Sequence, residues 1–129
     1  MTRMFANNYA FRGDLAAWDV SRVRSLERAF FAAEAFDGDL SGWNVSRVTN
    51  MRGAFQRASA FDADLSSWEV ARVTTMQNMF TKALAFRGHN ISSWDVGQVT
   101  TMRHMFVLAG AFEGNLSSWN VEKVTDSES

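Results

Sequence analysis

Five tryptophans, Trp18, Trp43, Trp68, Trp94 and Trp119, recur at spacings of 25, 25, 26 and 25 residues. Phe11, Phe36, Phe61, Phe86 and Phe112 keep the same step, and so do Phe5, Phe30, Phe55, Phe80 and Phe106. A period this short constrains the fold more than composition does. A unit of 25 residues cannot enclose a core alone, so each must bury its apolar edge against its neighbours. The one longer spacing comes from an extra residue in FRGHNISSW (86–94), set against FDADLSSW (61–68). It falls at or next to His89. An insertion that leaves the flanking pattern intact belongs in a loop.

Each unit reads as strand, helical turn and loop. In LSSWEV, Trp68 and Val70 alternate around Glu69, the period of a strand. This predicts strands near 15–20, 40–45, 65–70, 91–96 and 116–121. In VTTMQNMFTKALAF (73–86), Val73, Met76, Met79, Phe80 and Ala83 recur at three- and four-residue steps. That is one face of a short helix, with Thr49, Thr74 and Thr100 as N-caps. The first full unit has Arg24 there and must use Ser25. FRGD, FDGD, FDAD, FRGHN and FEGN follow as Gly/Asp/Asn turns. The expected fold class is α/β, a solenoid of about five repeats with short parallel strands roughly 4.8 Å apart. A bundle of helical hairpins fits poorly, because SSWEV is too short and serine-rich to continue a helix.

WDVSRVRSLERAF (18–30), WNVSRVTNMRGAF (43–55), WEVARVTTMQNMF (68–80) and WDVGQVTTMRHMF (94–106) share one pattern, W-D-V-S-x-V-T-x-M-x-x-M-F. It resembles the repeats of the BspA-like leucine-rich-repeat surface proteins over almost the whole chain, with Trp in the second leucine position of L-x-x-L-x-L. Arg24 and Leu26 depart from the pattern where later units have Thr and Met. The resemblance implies a right-handed leucine-rich-repeat-like solenoid, a role in protein binding or adhesion, and a cell-surface or extracellular setting. It brings no catalytic residues. Met1 aligns with Met102, and WNVEKVTDSES stops where the next helix is expected. Neither end reads as a dedicated cap. Residues 1–129 are therefore expected to be a single repeat domain from a longer array, with neighbouring repeats of the same chain as contacts.

Composition removes several function classes. Thirteen basic and 14 acidic residues leave a net charge of −1, no basis for neutralising a phosphate backbone, so no nucleic-acid partner is expected. The absence of cysteine excludes disulfides, thiolate metal sites and a cysteine nucleophile. No apolar run reaches membrane-spanning length, so no membrane insertion by this segment is expected. MTRMFANNYAF lacks the apolar stretch of a signal peptide. No phosphate-binding glycine motif occurs. His89 and His104 occupy different repeat positions, and no nucleophile–base pair stands out. The chain reads as non-enzymatic, with no metal or cofactor.

Three repeated features invite chemistry. The row Asp14, Asp39, Asp64, Asn90 and Asn115 would place oxygen ligands one strand apart, as a calcium ladder would. The plainer reading is that each satisfies N–H groups of its own turn. The row Ser25, Asn50, Thr75 and Thr101 is too mixed for the flat threonine array of an ice-binding solenoid. The tryptophans could stack on sugars, but Trp68 shares its face with Val70 and reads as interior.

The outward rows are the best candidate partner-binding strip: Asp19, Asn44, Glu69, Asp95 and Asn120 beside Arg22, Arg47, Arg72, Gln98 and Lys123. Solenoids often bind partners along such an extended face. The expected function is an interaction module for a protein or glycan. The alternative is a structural spacer with a solvated, mutually neutralising surface.

Overall fold

The computed structural model describes residues 2–88 and 91–125. His89 and Asn90, where the inserted residue and one member of the Asp/Asn row fall, lie outside the described residues. Among the described residues there is no helix and no extended strand. Their β pairing is three isolated parallel bridges, Ser25 to Asn50, Asn50 to Thr75 and Thr75 to Thr101. The expected α/β, leucine-rich-repeat-like solenoid is therefore corrected. Strands do not form near 15–20, 40–45, 65–70, 91–96 or 116–121, and no helix forms among the described residues of any unit. The repeats stack, but every coil is a succession of tight turns. We number the coils 1 (2–24), 2 (25–49), 3 (50–74), 4 (75–100) and 5 (101–125).

The segment expected to be helical shows why. In an α-helix every N–H reaches the carbonyl four residues back. Here the donors alternate. The N–H groups of Leu26, Arg28, Phe30 and Ala32 bond to the carbonyls of Asn50, Arg52, Ala54 and Gln56 in the next coil, at 2.8–2.9 Å. Those of Ala29, Phe31 and Ala33 close turns onto Leu26, Arg28 and Phe30 at 3.0–3.1 Å. Arg28 and Ala32 hold φ of 51° and 56°, the left-handed conformation a type II turn needs at its third residue. Gly53 takes it without penalty at φ 60°, and Asn78 at 58°. A helix confined to 73–83 is shorter than the ~12–15 residues at which isolated helices become even marginal. The turn-built coil instead gives half its donors to a neighbour that stacking must bring close anyway.

The cap also moves by one residue. Ser25 Oγ, Asn50 Oδ1, Thr75 Oγ1 and Thr101 Oγ1 accept from the N–H two residues on, at 2.9–3.4 Å. Thr49, Thr74 and Thr100 are not caps. Their N–H groups bond across coils to the carbonyls of Arg24, Thr49 and Thr74 at 2.8–2.9 Å, with the hydroxyls on the same carbonyls.

The segment expected to be a strand is two more turns. Trp68 N–H bonds to Leu65 carbonyl at 3.1 Å, and Val73 N–H to Val70 carbonyl at 3.0 Å. The same pair of turns recurs in all five coils. They still aim Leu65, Trp68, Val70 and Val73 inward, and all four are buried.

Aromatic columns fill the interior. Phe5, Phe30, Phe55, Phe80 and Phe106 stack along the array at 5.3–5.8 Å between centroids, within 10° of parallel. The second phenylalanine column runs beside it, each ring 4.0–4.6 Å from its partner in the same coil. Trp43, Trp68 and Trp94 are 3%, 2% and 4% exposed. Each indole Nε1 donates at 2.9 Å to a carbonyl of the preceding coil, on Leu15, Leu40 and Leu65 respectively. Trp119 donates likewise to Ile91 at 3.0 Å. Trp18, in coil 1, is 42% exposed.

Candidate functional site

All ten residues of the proposed strip are exposed: Asp19, Arg22, Asn44, Arg47, Glu69, Arg72, Asp95, Gln98, Asn120 and Lys123. Each coil gives one residue between its tryptophan and valine turns (Asp19, Asn44, Glu69, Asp95, Asn120) and one within its valine turn (Arg22, Arg47, Arg72, Gln98, Lys123). Their chemistry divides into two rows.

The acidic and amide row is largely engaged within its own bends. The Oδ1 of Asp19 accepts from Ser21 N–H at 3.0 Å and Ser21 Oγ at 2.6 Å. Asn44 receives the same two bonds from Ser46. Asp95 and Asn120 accept from the N–H of Gly97 and Glu122 at 3.0 Å. These are Asx turns, in which a short side chain holds a backbone bend. Glu69 is one methylene longer and makes no such bond. With Arg47, Arg72, Ser46 and Ala71 it lines an open groove of about 290 Å³.

The basic row is less committed. The side chains of Arg22, Arg47 and Arg72 make no hydrogen bond or ion pair with other described residues. Lys123 Nζ donates to Gln98 Oε1 at 2.7 Å, linking the last two coils. Sequence reasoning placed this strip on the surface but missed that four of its ten members hold their own bends.

The second Asp/Asn row behaves the same way. Asp14, Asp39, Asp64 and Asn115 each accept from the N–H two residues on, at 2.8–3.0 Å. Among the described residues no group of three or more His, Asp or Glu side chains converges as a metal-ligand set. His104 Nε2 accepts from Arg103 Nε at 3.2 Å. No described helix is long and apolar enough to cross a membrane.

Two carboxylates register their bends electrostatically. The Ser21 hydroxyl, then the Ser21 N–H and the Arg22 charge, hold the Asp19 pKa below its ordinary 3.8. The Ser41 hydroxyl and N–H lower that of Asp39 in the same way. A folded pKa below the unfolded one contributes stability that is complete above the unfolded value and is lost as pH falls through the folded one. Thermal melts should therefore decline below about pH 4. The paired substitution Asp19→Asn and Asp39→Asn, which keeps the Asx acceptor, should make that decline shallower. An unchanged acid slope would contradict the assignment.

A family model described as "Mycoplasma protein of unknown function, DUF285" matches residues 1–89 and again 67–129. The two matches overlap, as a repeat family does on a repeat array. No curated protein and no solved structure matches the chain.

Proposed function

We propose that this chain, which belongs to the family described as Mycoplasma protein of unknown function, DUF285, is a non-enzymatic interaction module. It presents its outer basic row, Arg22, Arg47 and Arg72 with Glu69 between, to a protein or glycan partner. The observation that carries the reading is the contrast between the two rows. Arg22, Arg47 and Arg72 stand exposed, one per coil and without a side-chain hydrogen bond among the described residues, whereas the adjacent Asp/Asn row is used to hold the bends. Guanidinium groups at a regular spacing suit carboxylate or sulfate groups on an extended ligand. A cell-surface or extracellular setting is proposed on the resemblance of the W-D-V-S repeats alone.

A spacer role is the second reading, and the Asx turns at Asp19, Asn44, Asp95 and Asn120 favour it. The triple substitution Arg22→Ser, Arg47→Ser and Arg72→Ser separates the two when wild-type and variant chains are screened on glycan and protein arrays. The interaction reading expects ligands whose affinity falls at least about tenfold in the variant, about 1.4 kcal/mol, at an unchanged melting temperature. Arrays that stay empty, or hits that bind both chains equally, favour the spacer.

A further inference from the structure

We propose that the face built by the turns after the bridge row, residues 27–32, 52–57 and 77–82, binds an acidic polysaccharide, whose sugars carry sulfate or carboxylate groups beside hydroxyls. It is a second surface, since Arg22, Arg47 and Arg72 lie in the valine turns before that row.

Charge is segregated in this chain, although its net value is only −1. The equivalent segments 2–7, 27–32, 52–57, 77–82 and 103–108 hold six of the 13 basic residues and one of the 14 acidic ones. The basic residues are Arg3, Arg28, Arg52, Arg57, Lys82 and Arg103, and the acidic one is Glu27. Arg28 and Arg52 are half-buried, and the other four cations are exposed. Stacking sets them side by side. Arg28 N–H bonds to the Arg52 carbonyl at 2.8 Å, and Arg57 and Lys82 hold the same repeat position in adjacent coils. Coils 2, 3 and 4 follow one another at 5.3–5.7 Å, measured between the rings of Phe30, Phe55 and Phe80. Like charges at such a step repel, and a polyanion laid along the stack relieves that repulsion. A face of one sign also steers an anionic ligand toward itself.

What gathers around Gly53 favours a glycan over other polyanions. A Cβ there would lie 3.0 Å from Arg28 Cγ and 3.0 Å from Gln56 Oε1. The missing side chain thus lets Arg28 and Gln56 converge from neighbouring coils. The Arg28 guanidinium lies 5.7 Å from the centre of the Phe31 ring, close enough for the ring to hold it. Arg52 Nε and Gln56 Oε1 are buried without a hydrogen-bond partner among the described residues. One is an orphan donor and the other an orphan acceptor, and each forfeits its hydration. A ligand that draws both side chains outward recovers both bonds only if it offers an acceptor and a donor together. Sulfate or carboxylate oxygens suit the guanidinium, and a sugar hydroxyl suits the amide carbonyl. A phosphodiester backbone offers acceptors alone.

Isothermal titration calorimetry with a heparin decasaccharide tests this on the 129-residue chain and its variants. The wild type should bind. Arg52→Ser with Arg57→Ser and Lys82→Ser should lose at least about tenfold in affinity at an unchanged melting temperature. If the Arg52 change lowers that temperature, Arg57→Ser with Lys82→Ser carries the test, since both side chains are exposed. Gln56→Ala removes no charge and should lose roughly threefold, the usual contribution of one hydrogen bond. Arg22→Ser with Arg47→Ser and Arg72→Ser should bind as the wild type does, which separates this face from the strip proposed above. An oligothymidylate of matched charge should bind at least about tenfold more weakly than the decasaccharide. A wild type that does not bind heparin overturns the proposal. So does full affinity in the basic-face or Gln56 variant, a loss confined to the Arg22 variant, or oligothymidylate held as tightly as heparin.

Discussion

Trp68→Ala is expected to destabilise the chain by about 3–5 kcal/mol, the usual range for deleting a buried large aromatic. The ring is 2% exposed, stacks on Trp43 at 6.4 Å and tilts against Phe55 at 6.0 Å. Its Nε1 ties coil 3 to the Leu40 carbonyl of coil 2. That carbonyl also accepts the Trp43 N–H, so losing the indole costs mainly packing and does not orphan the acceptor. Trp68→Phe keeps much of the volume and removes the donor, so it should cost roughly 1–2 kcal/mol. Urea unfolding of the three chains measures both. A loss under about 0.5 kcal/mol for Trp68→Ala, the value for ordinary surface changes, would contradict the interior column.

Phe55→Ala is expected to cost a similar ~3–5 kcal/mol. Phe55 lies midway along its column, with Phe30 at 5.3 Å, Phe80 at 5.7 Å and Phe61 at 4.2 Å. Removing it takes partners from three coils at once. Phe5 occupies the same position in coil 1, where it is only half-buried and has Phe30 on one side alone. Phe5→Ala should therefore lose clearly less. Stacked repeats contribute stability through nearest-neighbour interfaces, and the difference between central and terminal substitutions measures that coupling. Equal losses at Phe5 and Phe55 would mean that the coils do not share one continuous core.

Which residues face inward was legible in the sequence; which elements carry them was not. Leu65, Trp68, Val70, Val73, Met76, Met79, Phe80 and Ala83 are all buried as their spacing implies. Consecutive turns repeat these inward positions at intervals of one to three residues. That rhythm imitates a strand around Trp68 and Val70 and a helix from Val73 to Ala83. Two residues carried a contrary signal. Gly53 and Asn78 share one repeat position in the middle of the expected helix, and both favour the left-handed backbone they adopt there. The cross-coil bonds had no local trace, because the partner of each donor lies about one repeat away. For the same reason the indole bonds to Leu15, Leu40, Leu65 and Ile91 were invisible.

The strip was half legible. Outward placement of Arg22, Arg47 and Arg72 followed from the repeat. The structural use of Asp19 and Asn44 did not, although each is followed two residues later by serine, as an Asx turn favours. Exposure in sequence patterning does not distinguish a side chain offered to a partner from one folded back on its own backbone.

Scalar couplings transmitted through hydrogen bonds, read by NMR on the labelled chain, test the turn-built stack most directly. The Phe30 amide nitrogen should couple to the carbonyl carbon of Ala54, whose oxygen lies 2.9 Å away in the next coil. Coupling of Phe30 to the carbonyl of Leu26, four residues back as in an α-helix, would contradict it.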